Sequence, residues 1–140
     1  MFTFFFFLTE ELIVDKESVE LLTKVVYCYT NDTSICQKAI CTIVNYFHYN
    51  PMLYNKVDIL DMPILLLKTY VLRCDLICEK AMKLIEYLSQ NSISKKKILE
   101  EENFATILSV AKSRISIEPI GKPFCQIIEN LVGSCKKAYT

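Results

Sequence analysis

The sequence predicts an all-α fold in which about three three-helix units stack on one another. Three observations predict it. Gly is nearly absent, at 2 of 140 residues. Apolar residues recur at steps of three and four. One apolar–polar signature returns three times at nearly constant spacing. Tight hairpins lean on Gly for positive φ, so a many-turned sandwich or barrel is disfavoured. A length of 140 residues suits one domain.

The repeat is read directly. Ile35-Cys36-Gln37-Lys38-Ala39-Ile40 returns as Ile77-Cys78-Glu79-Lys80-Ala81-Met82, at a spacing of 42. Ile43-Val44-Asn45-Tyr46-Phe47 returns as Leu84-Ile85-Glu86-Tyr87-Leu88 and again as Ile127-Ile128-Glu129-Asn130-Leu131, at spacings of 41 and 43. Self-similarity at such a period marks a repeat architecture. One unit cannot bury its own apolar faces, and stacked neighbours bury them for each other.

Taken in chain order, the first unit spans about residues 1–49. Its helices are expected at Leu8 to Val14, Ser18 to Tyr29 and Ser34 to Tyr49. Asn31-Asp32-Thr33 fits a glycosylation sequon but reads as a turn and helix cap. Ser34 and Gln37 have capping-box spacing. Ile35, Ala39, Ile43 and Phe47 then form one apolar stripe.

The second unit, about 50–91, opens at Asn50-Pro51. A short helix is expected over Met52 to Leu60, a middle one over Met62 to Leu72, and a long one that Asp75 can cap. Ile77, Ala81, Leu84, Ile85 and Leu88 make its stripe.

The third unit, about 92–134, follows Asn91-Ser92. It has a short helix over Ser94 to Glu101, a middle one over Phe104 to Ala111, and a last one capped by Ser116 or Glu118. Pro119 suits a first turn. Pro123 is costly inside a helix, so the last helix begins at Pro123 or kinks there. Its stripe is Ile120, Phe124, Ile127, Ile128 and Leu131, and a short tail covers 135–140.

These residues resemble the armadillo repeat, a three-helix unit of about this period. Asn55 to Leu67 looks like the family's first part. Ala39-Ile40-Cys41-Thr42-Ile43-Val44-Asn45 looks like its last part, with Asn45 at the inner-face asparagine. The resemblance covers nearly the whole chain and is one of period and pattern. It implies a right-handed α–α superhelix with a concave face. Asn45, Tyr46, Glu86, Tyr87, Glu129 and Asn130 would then face a partner. Glu86 and Glu129 replace the family's asparagine, and Trp is absent. The family's grip on basic nuclear-import signals, which uses paired Trp and Asn, is therefore not implied here.

Chemistry-bearing residues are few. Lys plus Arg equals Asp plus Glu at 16 each, which leaves no electrostatic footprint for nucleic acid. Met1 to Leu8 is far shorter than the about 20 apolar residues that span a bilayer, and it lacks the form of a signal peptide. Its phenylalanines are expected in a buried helix.

Seven cysteines are present without a Cys-x-x-Cys. Cys74 and Cys78 would share a helix face but have no second pair, so no metal and no cofactor is expected. Free thiols packed as small hydrophobes fit better. His48 is the one histidine and reads as a partly exposed residue at a helix end. Glu100-Glu101-Glu102 point apart on a helix and read as a solvated face. Lys95-Lys96-Lys97 read as the wet side of a helix paired with those glutamates. Tyr46, Tyr49, Tyr54 and Tyr87 lie near the ends of long helices, where Tyr suits interfaces.

The expectation is a non-catalytic protein-interaction module, an adaptor or scaffold, in the cytoplasm or nucleus. It binds protein or peptide, with neither nucleic acid nor membrane as partner. An acidic column of Asn45, Glu86 and Glu129 would prefer a partner strip carrying Lys or Arg. Self-association, or membership of a longer solenoid, is also expected. The alternative is a compact helical bundle that holds a partner helix in an apolar groove, of the kind by which viruses mimic host cell-death or immune-signalling regulators.

Overall fold

A computed structural model describes residues 16–139, with side chains described through residue 133. The expected short helix over 8–14 and the phenylalanine run lie outside the described residues. The described chain is all-helical. Seven α-helices are present among the described residues: α1 (Lys16–Cys28), α2 (Thr33–Tyr49), α3 (Asp61–Tyr70), α4 (Asp75–Leu88), α5 (Ser92–Ile98), α6 (Glu101–Arg114) and α7 (Glu118–Tyr139). None of the helices is long and apolar enough to cross a membrane, among the described residues.

Helical periodicity explains which residues are buried. α1 buries Val19, Thr23 and Val26, and the Thr23 hydroxyl donates to the Val19 carbonyl at 2.8 Å. α2 buries Cys36, Ala39, Ile40, Ile43, Val44 and Phe47. Cys36 therefore takes the core position at the head of the stripe, and Ile35 is only half-buried. α4 buries Ile77, Cys78, Ala81, Met82, Leu84, Ile85 and Leu88, a stripe wide enough to meet neighbours on several sides.

The packing accounts for that width. α4 packs against α3, α2 and α7, so it lies between the two other long helices. α3 packs against α1 and α6 in the same way. The pairs α1–α2, α3–α4 and α6–α7 also pack together. Contacts thus run from α1 to α3 to α6 and from α2 to α4 to α7.

Polar bonds between helices follow the same order. The Tyr70 hydroxyl donates to the Thr30 carbonyl at 2.6 Å, across 40 residues. Asn91 donates to the Tyr54 carbonyl across 37, and Asn130 donates to the Ser89 hydroxyl across 41. The ion pairs Lys97–Asp58 and Arg114–Asp75 each span 39 residues, and Lys68–Glu102 spans 34. Each pair spans about one repeat length along the sequence.

Several local expectations are corrected. The short helix expected over Met52 to Leu60 is a 3-10 turn at Pro51–Asn55, followed by non-helical chain. Val57 and Ile59 are both buried. Residues two apart share one face less readily on a helix than on an extended segment, and here both reach the core from non-helical chain.

Helix starts also differ. α2 is capped by Asp32, whose carboxylate accepts from the Ile35 N–H at 3.1 Å, and not by Ser34 with Gln37. An anionic cap has the advantage at the positive end of the helix dipole. Cys74, not Asp75, stands at the cap of α4, and its side chain makes no capping bond. Asp75 instead receives Arg114 at 2.6 Å.

α7 starts at Glu118 and runs through Pro123. Pro123 is its sixth residue, so its missing N–H costs one early bond, to the carbonyl of Pro119.

The last lysine of the run takes its hydrogen-bonded partner from another part of the chain. Lys97 reaches Asp58 at 2.8 Å, and Glu102 takes Lys68 at 2.8 Å. α5 ends at Ile98 and α6 begins at Glu101, so the two runs do not share a helix.

Candidate interaction groove

The long helices α2, α4 and α7 together line a groove of about 550 Å³. α2 contributes Val44, Asn45 and His48. α4 contributes Glu79, Lys80, Lys83 and Tyr87. α7 contributes Glu118, Pro119, Lys122 and Pro123. The helical steps of each set follow from one exposed face per helix. Because α4 lies between its neighbours, its outward face forms the floor.

The floor is aromatic and basic. The Tyr87 ring packs on Phe47 at 5.6 Å between centroids. Lys83 Nζ stands 5.4 Å from the Tyr87 centroid, within cation–π range. Lys83 also donates to Glu86 at 3.0 Å. On the α7 wall, Lys122 and Glu118 are paired at 2.7 Å. That hydrogen bond, with the charge attraction, holds the Glu118 carboxyl below its usual range and raises the Lys122 ammonium. His48 is exposed in the last turn of α2, and its ring meets Tyr49 edge-on at 5.7 Å.

The six residues read from the repeat are divided by the structure. Asn45 and Tyr87 line the groove together. Tyr46 is half-buried against the core. The Glu86 side chain is 15% exposed, and its charge is met by Lys83. Glu129 is exposed on α7 outside the groove lining. Asn130 is half-buried and bonds Ser89 at 2.7 Å and Gln126 at 2.9 Å. Asn45, Glu86 and Glu129 thus do not line one groove.

Lys80, Lys83, His48, Glu118 and Lys122 were not singled out as partner-facing from the sequence. The missed signal is register. Matching the apolar signatures places Asn45 against Glu86, whereas a constant step of 42 places Asn45 against Tyr87, its neighbour in the groove.

The described cysteines divide by burial: Cys28 and Cys125 are exposed and Cys41 and Cys74 half-buried. Cys36 and Cys78 are buried, and the Cys36 thiol donates to the Tyr29 carbonyl at 3.2 Å. Burial pushes the Cys78 thiol up to about 11, which leaves it protonated and unreactive at neutral pH. Among the described residues, no group of three or more His, Cys, Asp or Glu is placed to hold a metal ion. No protein-family model, curated protein or solved structure matches the chain.

Proposed function

We propose that this chain is a non-catalytic protein-interaction module, built as a short armadillo-like stack of three-helix units that presents the α2–α4–α7 surface to a partner protein. The observation that carries the reading is the one-block step of the polar bonds between helices, from 34 to 41 residues. Bonds at that step are what neighbouring repeats make in a stack, where each unit contacts only the next. A stack of this kind leaves one row of helices as a continuous face, and here that row carries the groove.

The alternative of a compact bundle that clasps a partner helix uses the same groove. It gives no reason for the step of the bonds, so we prefer the stack. The groove's mixture of apolar side chains, an aromatic ring and charged tips suits recognition of a protein surface.

Site-specific photocrosslinking tests the reading in cells that express the chain. A photoreactive phenylalanine at Asn45, in the groove, is expected to capture a discrete partner. The same residue at Ser109, exposed on α6 in the other row, is expected to capture none. Crosslinks that form from Ser109 and not from Asn45 would reject the groove as the binding face.

A further inference from the structure

Three lysines recur at equal steps along the chain: Lys38, Lys80 and Lys122. Each falls in the second turn of its helix, in α2, α4 and α7 respectively. Those helices pack side by side in that order. Lys80 and Lys122 both line the groove. Lys38 lies seven residues before Asn45, two turns along the same face of α2. Cys41, one turn from Lys38, feels the Lys80 charge, which opposes the upward push of burial on its thiol. The three ammonium groups therefore form a ladder across the row of long helices.

Two rungs of the ladder have no carboxylate within 4 Å, among the described residues. Among the described residues, the carboxylates within 4 Å of a lysine are paired with Lys16, Lys68, Lys83, Lys97 and Lys122, and with neither Lys38 nor Lys80. The third rung, Lys122, is held only by Glu118 in an exposed pair, which an incoming carboxylate can replace.

We infer that this surface takes an extended acidic protein segment, with Asp or Glu at about every third position and apolar residues between them, laid across α2, α4 and α7. The inference rests on the interaction-module reading and names its partner's chemistry. Its basis is charge and spacing. Packed helices lie about 8–10 Å apart. An extended polyproline-like segment advances about 9 Å in three residues, so successive carboxylates meet successive lysines. The residues between them rest on Val44, Tyr87, Pro119 and Pro123.

This reverses the sign of the partner strip that a column of glutamates would select. A nucleic acid is the poorer fit. Its backbone is charged at every nucleotide, and Glu79 and Glu118 on the same surface repel any charge that falls between the rungs. A net charge of zero also gives no long-range attraction for a polyanion.

Fluorescence anisotropy with the full chain tests the inference. The probes are labelled synthetic peptides of about ten residues with Glu at every third position in a Pro/Ala/Leu background. Gln and Lys counterparts and a single-stranded oligouridine of similar length complete the set. The Glu peptide is expected to bind about tenfold tighter than the Gln peptide, with affinity falling as salt rises. Lys80→Glu and the exposed Lys38→Glu are each expected to weaken it about tenfold with unchanged helicity by circular dichroism. Lys96→Glu, on α5, is expected to leave it unchanged.

Equal or tighter binding of the Lys or Gln peptide overturns the inference, as does tighter binding of the RNA. Indifference to both ladder variants, or no binding by any peptide, overturns it too. If crosslinking from Asn45 still captures a partner in that event, the interaction-module reading survives and only the acidic partner is lost.

Discussion

Leu84→Ala is expected to destabilise the chain by about 2–5 kcal/mol, while Leu72→Ala is expected to change stability by no more than about 0.5 kcal/mol. The two leucines belong to the same block of sequence and differ in what surrounds them. Leu84 is 0% exposed on α4, the helix that meets α2, α3 and α7, whereas Leu72 is 86% exposed in the turn that follows α3. Removing the Leu84 side chain loses its transfer free energy and leaves a cavity in the core beside α4. The close-packed surroundings cannot close on it without giving up their own contacts. Small domains are stable by only about 5–15 kcal/mol, so the change is a large fraction of the whole. Urea unfolding followed by circular dichroism measures both variants. Equal losses from the two would mean that α4 is not the central helix.

Asn91→Ala is expected to destabilise by about 2 kcal/mol, combining about 1 kcal/mol for a lost helix cap with a similar amount for a lost hydrogen bond. The Asn91 side-chain oxygen accepts from the N–H groups of Ile93 and Ser94 at 2.8 and 3.3 Å, which caps α5. Its amide nitrogen donates to the Tyr54 carbonyl at 2.8 Å. One side chain thus starts a helix and ties it to the preceding block.

Asn91→Asp separates the two roles. Aspartate keeps both capping acceptors and cannot donate, so about 1 kcal/mol of loss is expected. A full loss in the aspartate variant would assign the effect to the Tyr54 bond alone. No loss would assign it to the cap.

Much of the fold was legible because steps of three and four do not suit a strand. The α2 helix, expected from Ser34 to Tyr49, runs Thr33–Tyr49. α4 starts at Asp75, within one residue of the expected start, although Cys74 takes the cap position. Legibility failed where tertiary burial overrides local pattern. Residues 56–60 read as helix, yet Val57, Ile59 and Leu60 all reach the core from non-helical chain. Ion pairing failed for a related reason. Lys97 had nearby glutamates in sequence, but its partner Asp58 lies 39 residues away, and neighbours across a stack cannot be read from neighbours along a chain.

The candidate site was half legible. Asn45 and Tyr87 were singled out and do share the groove, while Glu86 was placed beside Asn45 and is instead tied to Lys83. The cause is the adjacent apolar pairs of the repeat, such as Leu84-Ile85 and Ile127-Ile128. Two neighbouring apolar residues tolerate a slip of one when blocks are matched, and a slip of one turns a helical residue by about 100°. Lysines that recur singly, at 38, 80 and 122, allow no such slip. They set the register that the greasy positions leave open.

The central claim is that α2, α4 and α7 follow one another in a row. Spin labels on a keto side chain introduced pairwise at Lys38, Lys80 and Lys122 leave the seven cysteines native. Pulsed dipolar spectroscopy then reads the separations. With neighbouring helices about 8–10 Å apart, a row predicts a 38–122 distance about twice the 38–80 distance, and 80–122 equal to 38–80. Three similar distances would place the helices around a common centre and contradict the stack.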